Sequence, residues 1–418
     1  MNDILHRNGM LEATRLTRAG RLTQATALLQ RMLRGESAPD APFGTAGDLT
    51  PTPPTGPPLI DAIAETIEET DHQQSSRTGQ VLRNAISSRA TGMPQATARP
   101  HTPQTLRTLF ERIKRVSSGL GLPGPVKPPA VPTRDIVPDG GQFIAGSYNN
   151  QAGSRAYKIY IPSGYRGQAL PLIVMLHGCT QTPDDFAAGT RMNAVAEERT
   201  CLVVYPEQPP TANASKCWNW FRPSDQQRGQ GEPSLIAGIT RQVMRDYSVD
   251  SQRVYIAGLS AGAAAAAIMG MTYPDLYAAV GVHSGVACGV ARDLPAAFAA
   301  MRSGMSIVEE RGAMIPTIVF HGDRDTMVHP RNGNHVVAQS KIARTVQTKV
   351  HSGRVPGGHA YTRTVHTDAG GQAILEQWDI HGAGHAWSGG SPSGTYTDPR
   401  GPDATREMLR FFLDHQRP

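Results

Sequence analysis

Ser260 sits at the centre of Gly258-Leu-Ser-Ala-Gly262, a G-x-S-x-G pentapeptide. Such a pattern alone is weak, but its surroundings are those that nucleophile chemistry requires. Val254-Tyr-Ile-Ala257 reads as a strand running into it, and Ala263-Ala-Ala-Ala-Ala-Ile-Met269 as a helix running out. A strand-to-helix turn this tight holds its central residue in strained backbone geometry. Glycine on either side, lacking Cβ, lets strand and helix approach closely. The serine hydroxyl is then presented above the sheet at a helix N-terminus. A neutral hydroxyl is a poor nucleophile, so it needs a base to take its proton and a third group to orient that base.

Partners for such a serine follow in the chain as acid, then histidine, each on a loop after a later strand. His321-Gly-Asp-Arg-Asp325-Thr-Met-Val328 follows the apolar run Thr317–Phe320. Asp325 is the chosen acid, because Asp323 falls in the turn itself, where an aspartate caps backbone N–H groups. Gly382-Ala-Gly-His385-Ala-Trp387 follows the last apolar run, and its glycines allow the loop to fold back toward Ser260. His385 is therefore the expected base. His381 competes, but it stands at the strand end, where packing would fix it. The oxyanion formed on attack needs preorganised donors. The N–H of Ala261, next to the nucleophile, is one. The N–H of Cys179, in His177-Gly-Cys-Thr-Gln181 after the run Leu172–Leu176, is the other.

These residues need a scaffold that brings several strand ends together. Two strands around a Gly/Asn turn are expected at Gln142–Tyr148 and Arg155–Pro162. Short apolar runs then begin at Leu172, Cys201, Arg253, Ala278, Thr317 and Ala373, each closed by a turn signal. Runs apolar on both faces suit a mostly parallel sheet covered by helices. Helical patterns lie between or after them, as at Pro233–Tyr247 and Thr405–His415. Alternating strand and helix define an α/β class.

The rest of the chain is of another texture. Of its 418 residues, 43 are Gly and 33 Pro, which points to extensive loop and linker. The boundaries read as an amphipathic helix within 1–34, a Pro/Ser/Thr-rich linker with helical islands over 35–134, and the catalytic domain over 135–418. The net charge of +6 is concentrated in the N-terminal third: residues 1–134 carry 16 Lys/Arg against 11 Asp/Glu, the remainder 25 against 24. The helix at 8–34 needs an apolar surface, either the protein's own, a second subunit, a hydrophobic particle such as a storage granule, or a membrane surface. The N-terminus has no apolar h-region and no run spans a bilayer, so a cytoplasmic location is expected. The four cysteines, Cys179, Cys201, Cys217 and Cys288, form no CxxC pair and are expected to be mostly thiols in that compartment. No metal or organic cofactor and no nucleic-acid partner are implied.

Taken in order, LHGCTQ (176–181), CWNWF (217–221), GLSAG (258–262), HGDRDTMV (321–328) and GAGHAW (382–387) resemble the poly(3-hydroxybutyrate) depolymerase-type esterases. The resemblance covers roughly residues 140–415. It implies an α/β-hydrolase fold and hydrolysis of short-chain hydroxyalkanoate esters. Ser260, Asp325 and His385 would form the triad, and Cys179 and Ala261 the oxyanion hole. The aromatics of CWNWF would line the substrate site. Trp218, Trp220 and Trp387 are the expected substrate-binding rings, with Trp378 in the core. The same family name extends to feruloyl- and acetylxylan-type esterases, so small aryl or acetyl esters are the alternative substrates. A granule- or surface-binding protein with an idle hydrolase domain is the alternative of another class. Secreted relatives hold such cysteines in disulfides, a feature not expected in a cytoplasmic chain. With no added substrate-binding module apparent, amorphous intracellular polyhydroxyalkanoate granules, whose surface the helix at 8–34 would meet, or soluble oligomers are the expected polymer substrates.

Overall fold

Every residue of Leu170–Leu176 (β3), Leu202–Pro206 (β4), Ala279–His283 (β6) and Thr317–Gly322 (β7) is buried. Strands buried throughout must lie in a sheet covered on both faces. The computed structural model describes residues 136–304, 315–340 and 347–418, and places these strands at the centre of a ten-stranded sheet. The expected helix at 8–34 and the helical islands expected within 35–134 lie outside the described residues.

The sheet order is β1-β2-β4-β3-β5-β6-β7-β10-β9-β8. β1 (Gln142–Asn150) and β2 (Gly153–Ile161) form an antiparallel hairpin at one edge. Strands β4, β3, β5 (Val249–Leu259), β6, β7 and β10 (Ala373–His381) run parallel. β8 (Gln347–Arg354) and β9 (Ala360–Thr367) close the other edge as a hairpin paired antiparallel to β10. This last hairpin is not among the strands expected from sequence. Its residues are mostly exposed or half-buried, and they lack the apolar run that marked the central strands.

Side chains alternate between two cores, as the two-residue period of a strand requires. On β3, Leu172, Val174 and Leu176 face one cluster and Ile173 and Met175 the other. The first cluster is covered by α3 (Gly231–Asp246) through Ile236, Ile239 and Val243, and by α4 (Ala261–Thr272) through its alanines. The second is covered by α1 (Pro183–Thr190), α2 (Met192–Arg199) and α7 (Ala404–Leu413). Met408, Leu409, Phe411 and Phe412 of α7 are almost fully buried, each contributing about 1.5–3 kcal/mol of transfer free energy. Two further helices, α5 (Leu294–Ser303) and α6 (Arg331–Ser340), follow β6 and β7.

Register aligns the carboxyl ends of the central strands. Leu176 pairs with Gly258, Leu259 with His283, His283 with Phe320, and Ile380 with Gly322. The loops after β3, β5, β7 and β10 therefore leave the same edge of the sheet. That edge holds Cys179, Ser260, Asp325 and His385.

The close approach of α4 to this edge depends on two glycines. A Cβ at Gly258 would stand 2.7 Å from the Leu176 carbonyl, and one at Gly262 2.6 Å from that of His177. Both obstacles are backbone and cannot swing away. Gly262→Ala is expected to lower stability by about 2 kcal/mol or more. Denaturant unfolding at fixed pH checks this, and an unchanged midpoint would show that helix and loop separate freely.

Candidate active site

Ser260 caps α4 with φ 56° and ψ −117°, a left-handed φ that a non-glycine residue rarely adopts. The surrounding chain enforces it. The Ser260 N–H donates to the His283 carbonyl at 2.9 Å, and the Ser260 carbonyl accepts from Ala264 N–H at 3.0 Å. Strain held by both the sheet and the helix is characteristic of a functional turn.

Asp325 and His385 meet across 60 residues of sequence. His385 Nδ1 lies 2.7 Å from Asp325 Oδ2. The other carboxylate oxygen, Oδ1, accepts from the N–H groups of Met327 and Val328 at 2.9 and 2.8 Å. His321 Nε2 donates to the Val328 carbonyl at 2.8 Å and lies 3.4 Å from Asp325 Oδ2. Burial by itself raises the Asp325 carboxyl. Hydrogen bonds from His321 and His385, with their nearby charge, outweigh it and hold the group well below the usual carboxylate range. An ionised Asp325 has no proton to give, so Nδ1 of His385 must donate, which leaves Nε2 as the basic nitrogen.

Asp323, the competing acid, does what its turn position suggests. Its Oδ1 accepts from Gly382 N–H at 2.7 Å, and its Oδ2 lies 3.1 Å from His381 Nδ1. His381 is exposed rather than held in packing, and it also meets Thr362 Oγ1 at 2.9 Å. Further bonds run from Asp323 N–H to the Ile380 carbonyl and from Arg324 N–H to the Ala383 carbonyl, at 3.1 and 3.0 Å. The acid loop and the histidine loop are thus pinned to each other.

The remaining loop positions the candidate oxyanion donors. Ala261 is the first residue of α4, and the first N–H groups of a helix have no partner within it. On either side of Cys179, Gly178 N–H donates to Gln181 Oε1 at 2.9 Å and Thr180 N–H to the Ser215 carbonyl at 2.7 Å. Buried His177 locks the approach to this loop: its Nδ1 donates to the Gly178 carbonyl at 2.8 Å, and its Nε2 accepts from Gln208 N–H at 3.0 Å. Burial pulls its imidazole down to about 4, so the ring is neutral.

Cys179 and Cys217 form a disulfide, which corrects the expectation that the cysteines are mostly thiols and that the disulfides of secreted relatives are not carried over. Cys201 and Cys288 are buried and stand outside the disulfide. The bridge ties the loop after β3 to the segment 207–226, whose base is a buried polar network. Glu232 accepts from Asn219 N–H and Nδ2, both at 2.7 Å, and Arg155 Nε donates to Gln208 Oε1 at 2.9 Å. Gln208 Nε2 in turn donates to the Cys217 carbonyl at 3.0 Å.

Beside Ser260 opens an apolar cleft of about 640 Å³, open mouth included. Cys179, Cys217, Trp220, Phe221, Phe298 and Met301 contribute to its walls. Of the three tryptophans expected to bind substrate, only Trp220 lines it. Trp218 is fully buried, with Nε1 donating to the His177 carbonyl at 3.1 Å. Trp387 is packed edge-on to Phe186 and stacked on His283, and its Nε1 donates to Thr405 Oγ1 at 3.0 Å. Both are core residues whose polar ends are satisfied inside. Trp378 is in the core, as expected. Phe298 and Met301 were not foreseen, because nothing in the α5 sequence announces which face meets the cleft.

His283 was also missed. Its carbonyl holds Ser260, while its Nε2 accepts from Ser388 N–H at 3.0 Å, in the strand after the His385 loop. The ring is stacked between Phe320 and Trp387. Burial, reinforced by His321 and His385, lowers it to about 3.

A parallel sheet with a strained serine elbow after β5, a carboxylate after β7 and a histidine after β10 defines an α/β hydrolase. Residues 155–348 match the family described as Esterase PHB depolymerase. The chain is 32% identical over 253 residues to poly(3-hydroxyalkanoate) depolymerase C of Paucimonas lemoignei, covering 57% of this chain and 58% of that protein. It is 30% identical over 216 residues to feruloyl esterase B of Neurospora crassa, covering 47% and 73% respectively. The chain belongs to this esterase family. It spans about three fifths of the depolymerase and of a probable acetylxylan esterase A of Aspergillus clavatus. In fold it is similar to an acetyl xylan esterase from Aspergillus awamori, with a TM-score of 0.52 at 20% identity, over 66% of this chain and 99% of the other.

Two outcomes follow from this geometry. A histidine depressed to about 3 in the folded state binds protons more readily when unfolded, so its stabilisation is present above about 6.5 and is lost as pH falls through the window toward 3. In His283→Gln the fall in unfolding midpoint between pH 7 and pH 5 should shrink; an unchanged fall would show that this ring is not the group responsible. Reduction of the Cys179–Cys217 bridge should lower stability by roughly 2–4 kcal/mol and loosen the cleft wall. Dithiothreitol followed by alkylation, read by melting temperature and ester turnover, checks this. Cys201, raised by burial to about 12, should resist the alkylating agent while the protein stays folded.

Proposed function

We propose that this chain is a serine carboxylic-ester hydrolase acting through an acyl-enzyme. Ser260 attacks the ester carbonyl as His385 Nε2 takes its proton. Asp325 orients His385 and stabilises the imidazolium that forms. The N–H groups of Cys179 and Ala261 hold the oxyanion. His385 then protonates the leaving alcohol, and water repeats the cycle on the acyl-enzyme. The observation that carries this reading is the His385–Asp325 contact of 2.7 Å at the same sheet edge as the strained Ser260.

The substrate proposed is a short-chain hydroxyalkanoate ester, as poly(3-hydroxybutyrate) or its oligomers. The small apolar cleft supports it, as does the likeness to a protein named as a poly(3-hydroxyalkanoate) depolymerase. A second reading, aryl or acetyl esters, is favoured by the 73% coverage of a protein named feruloyl esterase B. Granule attachment through the helix at 8–34 concerns residues outside those described. The disulfide weighs against the cytoplasmic placement expected from the N-terminus, since such bonds persist in oxidising compartments. Among the described residues no helix is long and apolar enough to cross a membrane.

Ser260→Ala should lose about a thousandfold or more in turnover of p-nitrophenyl butyrate. Retained turnover would remove the nucleophile assignment. Kinetics on 3-hydroxybutyrate trimer and methyl ferulate then separate the two substrate readings.

A further inference from the structure

Tyr396 is one of three large hydrophobic residues exposed among the described ones, at 46%, and it alone stands beside the catalytic loops. Its φ is +54°, in a region that bulky side chains seldom occupy. The backbone holding it there is tied at both ends. Before it, Thr395 N–H donates to Asp185 Oδ1 at 2.9 Å, and the Thr395 carbonyl accepts from Gln181 Nε2 at 3.1 Å. Gln181, only 2% exposed, is the residue whose Oε1 takes Gly178 N–H, so this anchor reaches the loop of Cys179. At Tyr396 itself, the carbonyl accepts from Trp387 N–H at 2.6 Å, two residues beyond His385. The phenol Oη makes only a loose contact, 3.4 Å, with Thr180 Oγ1. A strained, doubly anchored backbone thus presents an aromatic ring to solvent between the oxyanion loop and the histidine loop.

That position has a chemical meaning. The alcohol of an ester departs toward the histidine that protonates it. The apolar cleft has its walls on 3₁₀ segment 223–226's neighbouring loop and on α4 and α5, and Tyr396 is not among its lining residues. An acyl part seated in that cleft would leave the alcohol part to extend toward the His385 loop, the side from which its proton comes. Stacking or edge contact on an exposed ring is worth having only if something apolar lies there.

We infer that Tyr396 is the floor of a second subsite, on the leaving-alcohol side of Ser260, which takes the adjoining repeat unit of an oligo(3-hydroxyalkanoate). This rests on the esterase reading above and deepens it by naming where the next unit of the polyester lies.

The test compares methyl 3-hydroxybutyrate with 3-hydroxybutyrate trimer, whose hydroxyl-terminal ester bond carries the same acyl group, as kcat/KM for release of monomer from that bond by the full chain. Wild-type protein is expected to favour the trimer. Tyr396→Ala should reduce the trimer-to-methyl ratio at least fivefold, chiefly through KM, and Tyr396→Phe should restore it. An unchanged ratio in Tyr396→Ala, or an equal loss on both esters in a variant that melts like wild type, overturns the subsite and leaves the esterase reading standing. Wild-type protein that hydrolyses neither ester overturns the subsite and the hydroxyalkanoate reading, and turnover of p-nitrophenyl butyrate by the same protein then decides the esterase reading separately. Thermal melting of Tyr396→Ala shows whether a loss on both esters comes from misfolding; Tyr396→Phe, which keeps the ring, must then still hold the wild-type ratio, and failure to do so overturns the subsite.

Discussion

The backbone conformation at residue 260 governs the architecture of the site. A left-handed φ at a serine is unfavourable in isolation, and it persists because α4 and β5 are pressed against the end of β3 with no room for a Cβ at Gly258 or Gly262. Both neighbours contribute to the same point. The end of β6 supplies the carbonyl that holds the Ser260 N–H, and the end of β3 leads into the loop of Cys179. Sheet register, helix packing and the direction of the hydroxyl are one constraint seen from three sides.

Around that point the charged and polar groups divide their work. Asp325 is kept ionised by four donors, two of them backbone N–H groups, so its charge does not depend on His385 alone. His177 and His283 are neutral, buried and structural: each uses one ring nitrogen as an acceptor for a backbone N–H of a neighbouring loop. Imidazole suits this task because a single flat ring can stack in an apolar core and still bond at its edge. These two histidines thus carry out scaffolding beside His385, whose Nδ1 meets Asp325.

Much of this was legible in the sequence. Ser260 declared itself through the strand before it and the alanine-rich helix after it, and Asp325 and His385 through their places after later apolar runs. The central strands were readable because they are buried on both faces. Trp218 and Trp387 were misjudged because residue type reports only that a large ring needs burial, while its direction depends on which carbonyl or hydroxyl its indole N–H finds. The hairpin β8–β9 escaped notice since an exposed edge carries little apolar signal. The disulfide was set aside because the polar N-terminus argued for a reducing compartment, and spacing between cysteines 38 residues apart carries no geometric information to oppose that. His283 was hidden for a related reason, its role being defined by partners distant in the chain.

The bridge between Cys179 and Cys217 has a bearing on how such a protein diversifies. One sulfur belongs to the loop that would meet developing negative charge, the other to the wall that would meet the acyl group. Reshaping the wall to admit a different acid would drag on the charge-stabilising loop, so a change of diet and a loss of speed become mechanically linked. The loop carrying Tyr396 is joined to the rest by hydrogen bonds and close packing against Gly189 with no covalent bridge, so it is the freer of the two to change without disturbing the loop of Cys179.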